Sequence, residues 1–190
     1  PARAIGIIRD EHLSLAAVMH AWTHELAVAR SAGRAADPAL MQAALRYVQQ
    51  FPLRLHHPKE DQLLFRRLRS RTPLCDAELD ELERQHVRDA QLVDELAGLV
   101  EGLVAATGPA ALEATQRLET HVGQYARFLW DHMGREEGVI LPAAQRHLLP
   151  EDWAALDAAF GHNGDPRFDA ELERDVRKLF ARIVGLAASA

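Results

Sequence analysis

Apolar positions in this chain recur at intervals of three and four along most of its length, the period of a helix with one buried face, and no segment needs to be read as a strand. Ala, Leu, Arg and Glu dominate and β-branched residues are sparse, so local propensity agrees with the pattern. Ile5, Ile8, His12, Leu15, Met19 and Leu26 share one face until Gly33 interrupts it, and Asp37-Pro38 then supplies a cap and a first-turn proline. A first helix over about residues 4–31 follows from this. A second runs to about Arg69, where SRTP stops it, and a third takes DAELDELERQHVRDAQLVDELAGLVEGLVAAT up to Gly108-Pro109. A fourth carries residues 110 to about 148. Helices of roughly 27 to 38 residues joined by short connections predict an all-α fold, an antiparallel (up-down-up-down) four-helix bundle over residues 1–149.

Beyond Pro150 the pattern shortens: EDWAALDAAF is amphipathic, GHNGDP is a turn cluster, and ELERDVRKLFARIVGLA is again helical. Residues 150–190 are therefore read as a C-terminal helical extension. Its Trp153, Phe160, Phe168 and Phe180 pack on the bundle, on a second copy in a homodimer, or on a partner protein.

Composition narrows the picture. With 190 residues, 48% of them hydrophobic, the chain can bury a core of its own. The net charge of −6 arises from 22 basic and 28 acidic residues mixed along the chain, so there is no basic face to suggest nucleic acid or an anionic membrane as a partner. No stretch approaches 18 uncharged apolar residues, so no membrane span is expected. The single cysteine, Cys75, excludes an internal disulfide framework and fits a reducing compartment. As PARAIGIIRDEH also lacks an apolar core of signal-peptide length, the expected location is cytoplasmic.

The chemistry lies in the histidines. FPLRLHHPKEDQLLF crowds two imidazoles and two acids into what otherwise reads as an apolar-faced helix. His56 opens HHPKEDQLLF and His132, 76 positions later, opens HMGREEGVILP, so both stretches read His-x-x-x-Glu-(Asp/Glu) before an apolar pair. His12 and His86, 74 positions apart, each stand alone among acids on an earlier helix. The chain thus repeats itself as a helix pair, one helix with a single His and the next with His-x3-Glu.

A spacing of four turns a side chain by about 40° and raises it by about 6 Å, which puts His56 with Glu60 and His132 with Glu136 on one face each. Leu53, Leu63 and Leu64 flank the first pair, and Phe128, Leu129, Val139 and Ile140 the second, which marks both faces as interior. Two carboxylates buried together without counter-charge are costly, and a pair of cations removes the cost. Imidazole with carboxylate suits iron, manganese or zinc rather than calcium or magnesium.

The order H…HxxxE…H…HxxxE resembles the hemerythrin-like, or HHE cation-binding, family over residues 4–148, and HHPKED and REEGVILP are similar to its signature stretches. The resemblance implies a four-helix bundle around a non-haem di-iron centre, two irons joined by an oxo or hydroxo bridge, with manganese or zinc as substitutes. It implies His12 and His56 on one iron, His86 and His132 on the other, and Glu60 and Glu136 bridging. Dioxygen carriers of this family place a further histidine four residues after the one in the third helix; that position here is Ala90. His57 is the candidate substitute, offset about 100° from His56 and within reach of the other iron. Pro58 lacks an N–H and pushes the carbonyl of Arg54 away, and the resulting distortion is expected to help turn His57 inward.

Other groups take lesser places. Asp61 and Glu137 point about 100° away from the bridging acids and are read as solvated or as supporting the ligands from behind, and Glu11 and Asp89 as candidates to steer imidazole N–H groups. His121 and Tyr125 are read first as satisfied core polar groups, with a ligand channel as the alternative, and His20 and His24 as flanking the same cavity. His147 and His162 are read as superficial. What the resemblance implies is a protein that binds or senses dioxygen, nitric oxide or peroxide. Its alternatives are an enzyme consuming peroxide or nitric oxide, or a protein for iron storage or the repair of iron centres.

Overall fold

The structure is a computed structural model and describes residues 3–161, 174 and 178–185. Among the described residues every regular element is helical and none is a strand. Helix α1 (Arg3–Ser31) ends in a Schellman turn, with Gly33 at a φ of 63° and Arg34 N–H donating to the Ala29 carbonyl at 3.0 Å. Helix α2 (Pro38–Gln50) starts on Asp37, whose carboxylate accepts from Ala39 N–H at 2.8 Å. Buried Glu25 clasps this turn, accepting from Asp37 N–H at 3.0 Å and Arg34 at 2.9 Å. Burial would raise its pKa, but the Arg34 guanidinium and the Asp37 amide hold it low.

The next stretch is not the uninterrupted rod that apolar spacing predicts. A π-helical turn at Pro52–His56 leads into a three-residue helix α3 (His57–Lys59), and a second π segment covers Glu60–Phe65 before α4 (Arg66–Arg71). Pro52 and Pro58 carry no N–H and interrupt the ordinary ladder. The amide of His57 reaches back five residues to the Pro52 carbonyl. Helices α5 (Asp76–Ala105) and α6 (Gly108–Arg135) are regular, and a third π turn, Glu136–Ile140, separates α6 from α7 (Leu141–His147). Wide turns of this type gather at functional positions because they redirect the side chains around them.

Helix α1 packs against α6, α2 and α8 (Pro150–Gly161), α5 packs against α2 and α6, and α4 meets α7. The core is divided. One apolar cluster holds Leu15, Met19, Trp22, Leu55, Val93 and Leu129; the other holds Ile8, Leu64, Phe65, Leu82, Ile140 and Phe160. In α1, His12 lies between Ile8 of one cluster and Leu15 of the other, and in α5 His86 lies between Leu82 and Val93. The buried histidines and glutamates form the polar layer between the two.

Helix α8 is held by Arg71, which donates to Asp152 at 2.7 and 3.2 Å, and by Phe160 and Trp153 in the second cluster. Phe180 lies against Tyr47, with ring centroids 6.3 Å apart. Phe168 and His162 lie outside the described residues. Among the described residues no helix is long and apolar enough to cross a membrane.

Candidate metal centre

Seven side chains meet in the polar layer: His12 from α1, His56 and His57 from the first π turn and α3, Glu60 from the second π segment, His86 from α5, His132 from α6 and Glu136 from the third π turn. The least buried of them, His86, is 7% exposed, and Glu60 is 0% exposed. Two groups of donor atoms each fall within 4.8 Å, a spread that can hold a metal ion: His12, His56, Glu60 and Glu136, and His57, Glu60, His86 and His132.

Glu60 belongs to both groups, and Glu136, a member of the first, also reaches toward the second. Glu60 directs Oε1 at His56 Nε2, 3.0 Å away, and Oε2 at His86 Nε2, 3.5 Å away. Glu136 directs Oε2 at His12 Nε2, 3.1 Å away, while Oε1 lies 3.4 Å from His132 Nε2 and 3.8 Å from His86 Nε2. His57 stacks on His86 with ring centroids 3.9 Å apart, so it joins the second group rather than that of its neighbour His56. The π turn before it explains how adjacent residues both face inward, since a wider turn shortens the angular step between successive side chains.

Behind the inward-facing nitrogens runs a closed ring of side chains. Next to His12, Glu11 meets His56 Nδ1 at 2.6 Å; next to Glu60, Asp61 meets His86 Nδ1 at 2.8 Å. Next to His86, Gln85 Oε1 accepts from His132 Nδ1 at 3.0 Å, and next to Glu136, Glu137 meets His12 Nδ1 at 2.9 Å. Each helical run therefore orients the imidazole of the following one, and the last returns to the first. Gln85 was not singled out in the sequence, although the 74-residue repeat that pairs His12 with His86 also pairs Glu11 with Gln85. His57 stands outside the ring: its Nδ1 has no hydrogen bond and lies 3.6 Å from Asp89 Oδ2.

Burial and the crowding of these charges shift every one of the seven groups. Burial pushes Glu60 up, and Glu136 beside it adds to the rise. Burial acts the same way on Glu136, but His132 and His12 outweigh it and hold its carboxylate well below the usual range. Burial would lower His56 and His12; Glu60 and Glu11 raise the first well above its ordinary value, and Glu136 raises the second. His86, also opposed by burial, is pushed up to about 10 by Asp61, Glu136 and Glu60. Burial and the neighbouring imidazoles take His57 well down and His132 down to about 4. Neutral His132, giving its Nδ1 proton to Gln85, presents a bare Nε2 to the site.

Both oxygens of Glu60 and of Glu136, and Nε2 of His86 and His132, are buried without a hydrogen bond. Six such atoms at one depth would be costly as a resting arrangement, and imidazole nitrogens facing paired carboxylate oxygens fit a transition-metal donor set. Removing the amide of Gln85 in Gln85→Ala should weaken metal binding about 10–100-fold while leaving helicity unchanged, as competition with a coloured chelator and circular dichroism will show.

The remaining predicted residues are spread more widely. Tyr125 is buried beside Asp89, whose carboxyl burial lifts to about 7. His121 is only half-buried rather than part of the core, and its Nδ1 donates to its own helix at the Arg117 carbonyl, 2.8 Å away. His20 and His24 are exposed, one position past buried Met19 and one before buried Glu25, and the His20 ring lies against Trp130 with centroids 5.6 Å apart. Val139, read as a flank of the second pair, is 43% exposed because the π turn carries it outward.

No curated protein and no solved structure matched the chain. A family model did, that of the hemerythrin HHE cation binding domain, over residues 3–144, which takes in all seven of these side chains and stops short of α8. The chain belongs to the hemerythrin HHE cation-binding family.

Proposed function

We propose that this chain is a non-haem di-iron protein, an antiparallel four-helix bundle of the hemerythrin type with a C-terminal extension over residues 150–190, that binds or senses a small ligand such as dioxygen, nitric oxide or peroxide. His12 and His56 hold one iron and His57, His86 and His132 the other, with Glu60 and Glu136 shared. The observation that carries this reading is the pair of four-donor groups with Glu60 common to both. When bound, such a pair supplies reversible one-electron chemistry and a Lewis-acidic position for a small ligand.

The protein's own part is to fix five imidazoles, hold the Glu136 carboxylate ionised and exclude bulk water. The donor sets are unequal. The first ion receives two imidazoles and the second three, so the free position falls on the ion held by His12 and His56. The single cysteine suits a cytoplasmic setting.

The test is iron analysis with optical spectra in air, under dithionite and with azide. Two irons per chain and an azide-sensitive band are expected. His57→Ala should weaken one of the two irons by more than the about 10–100-fold that an orienting partner is worth, leaving the other in place. Iron content and spectra identical to those of the parent protein would contradict the role of His57.

One observation favours a second reading, an enzyme consuming peroxide or nitric oxide. Tyr125, an oxidisable phenol, is 1% exposed and sits beside Asp89, whose carboxylate lies 3.6 Å from His57 Nδ1. Stopped-flow mixing of the reduced protein with peroxide distinguishes the two by whether turnover continues after the first equivalent.

A further inference from the structure

The two donor groups differ in their access to solvent. A surface cavity of about 360 Å³ opens onto His57 and His86, with Leu53, Pro58, Val87 and Ala90 among its walls and Asp61 and Glu83 also lining it. Val87 is 63% exposed and Ala90 is exposed too, so the mouth is edged by small side chains. None of His12, His56 and Glu136 of the other group lines this cavity, and they are 4%, 1% and 1% exposed.

Two further features set His57 apart. Its Nδ1 has no hydrogen bond, whereas His12, His56, His86 and His132 are each pinned there by the ring of neighbouring side chains. It also rides on the three-residue α3 between two π segments, a backbone already displaced from the regular helical ladder. A ligand with an unpinned ring, on an irregular turn, at the floor of an open cavity is the first to release an ion and the first to receive one.

We propose that this cavity is the route by which a divalent cation enters and leaves the second donor group, with His57 as the swinging ligand and the carboxylate of Asp61, seated on His86, at its inner wall. This rests on the metal-centre reading above and adds that the two ions exchange at different rates. The ion held by His57, His86 and His132 leaves first; the one held by His12 and His56 follows slowly.

The test uses the full chain loaded with Co²⁺ or Zn²⁺, counted by metal analysis and then challenged with a coloured chelator in a stopped-flow instrument. Two phases of equal amplitude are expected. Ala90→Trp and, independently, Val87→Trp place a bulky side chain over the mouth from exposed positions that the fold tolerates. Each should slow the fast phase at least about tenfold, leaving the slow phase and the bound stoichiometry unchanged. A fast phase unaltered in both variants, or a single phase for both ions, overturns the route. Absence of bound metal in the parent protein would instead overturn the metal-centre reading itself.

Discussion

Glu60→Gln is expected to move the stability of the metal-free and metal-loaded protein in opposite directions. Glu60 is wholly buried, faces Glu136, and has its pKa raised first by burial and then by that neighbour. Its ionised form is therefore a liability in the metal-free fold, and the amide, of nearly the same shape, removes it. A gain of order 1 kcal/mol is expected, at the low end of what replacing buried charges yields, because His56 loses one of its two carboxylate partners.

With metal present the balance reverses. A ligand held a thousandfold above its dissociation constant stabilises the folded state by about 4 kcal/mol. Glu60 belongs to both donor groups, so the variant forfeits most of that increment for both ions. Thermal melts with and without Zn²⁺ or Fe²⁺ measure both quantities. A metal-induced rise equal to the parent's would remove Glu60 from the centre.

The second large effect is on pH. In the metal-free protein His86 has its pKa raised to about 10, above the ordinary value of 6.5 that applies to the unfolded chain. Its contribution to stability is complete below 6.5 and disappears as the pH climbs through about 10. Asp89, raised to about 7, acts in the same sense at lower pH, its contribution fading as the pH rises from 3.8 to about 7. His132, lowered to about 4, opposes them, its contribution present above 6.5 and lost as the pH falls through about 4.

Between pH 7 and 10, then, the metal-free protein loses stability while metal binding tightens, because a bound ion displaces the protons held on His56, His12 and His86. Each displaced proton strengthens apparent binding about tenfold per pH unit. Adding Zn²⁺ to weakly buffered protein at pH 7 should acidify the solution, and a pH-independent affinity across this window would contradict the assignment of charged imidazoles.

Much of this was legible in the sequence. Gly33 and Asp37-Pro38 marked the first turn because each has one backbone use there. The 74- and 76-residue repeats singled out His12, His56, Glu60, His86, His132 and Glu136, and these lie in one layer between the two apolar clusters. The π turns were not legible, since apolar periodicity carries no record of whether an amide reaches back four residues or five. Pro58 hinted at one distortion, but the turn that brings in His57 begins at Pro52.

That turn has no counterpart in the second half of the repeat, where Met133 stands in the place of His57 on regular α6 and packs into the apolar core. The asymmetry of the centre comes from this one irregularity. Gln85 escaped notice because it is uncharged, although it sits where Glu11 does in the first half and does the same work for the next imidazole.

The most direct measurement is anomalous scattering at the iron edge from crystals of the iron-loaded protein. Two peaks are predicted, both contacted by Glu60 and Glu136, one flanked by His12 and His56 and the other by His57, His86 and His132. A single peak, or peaks away from this layer, would contradict the account.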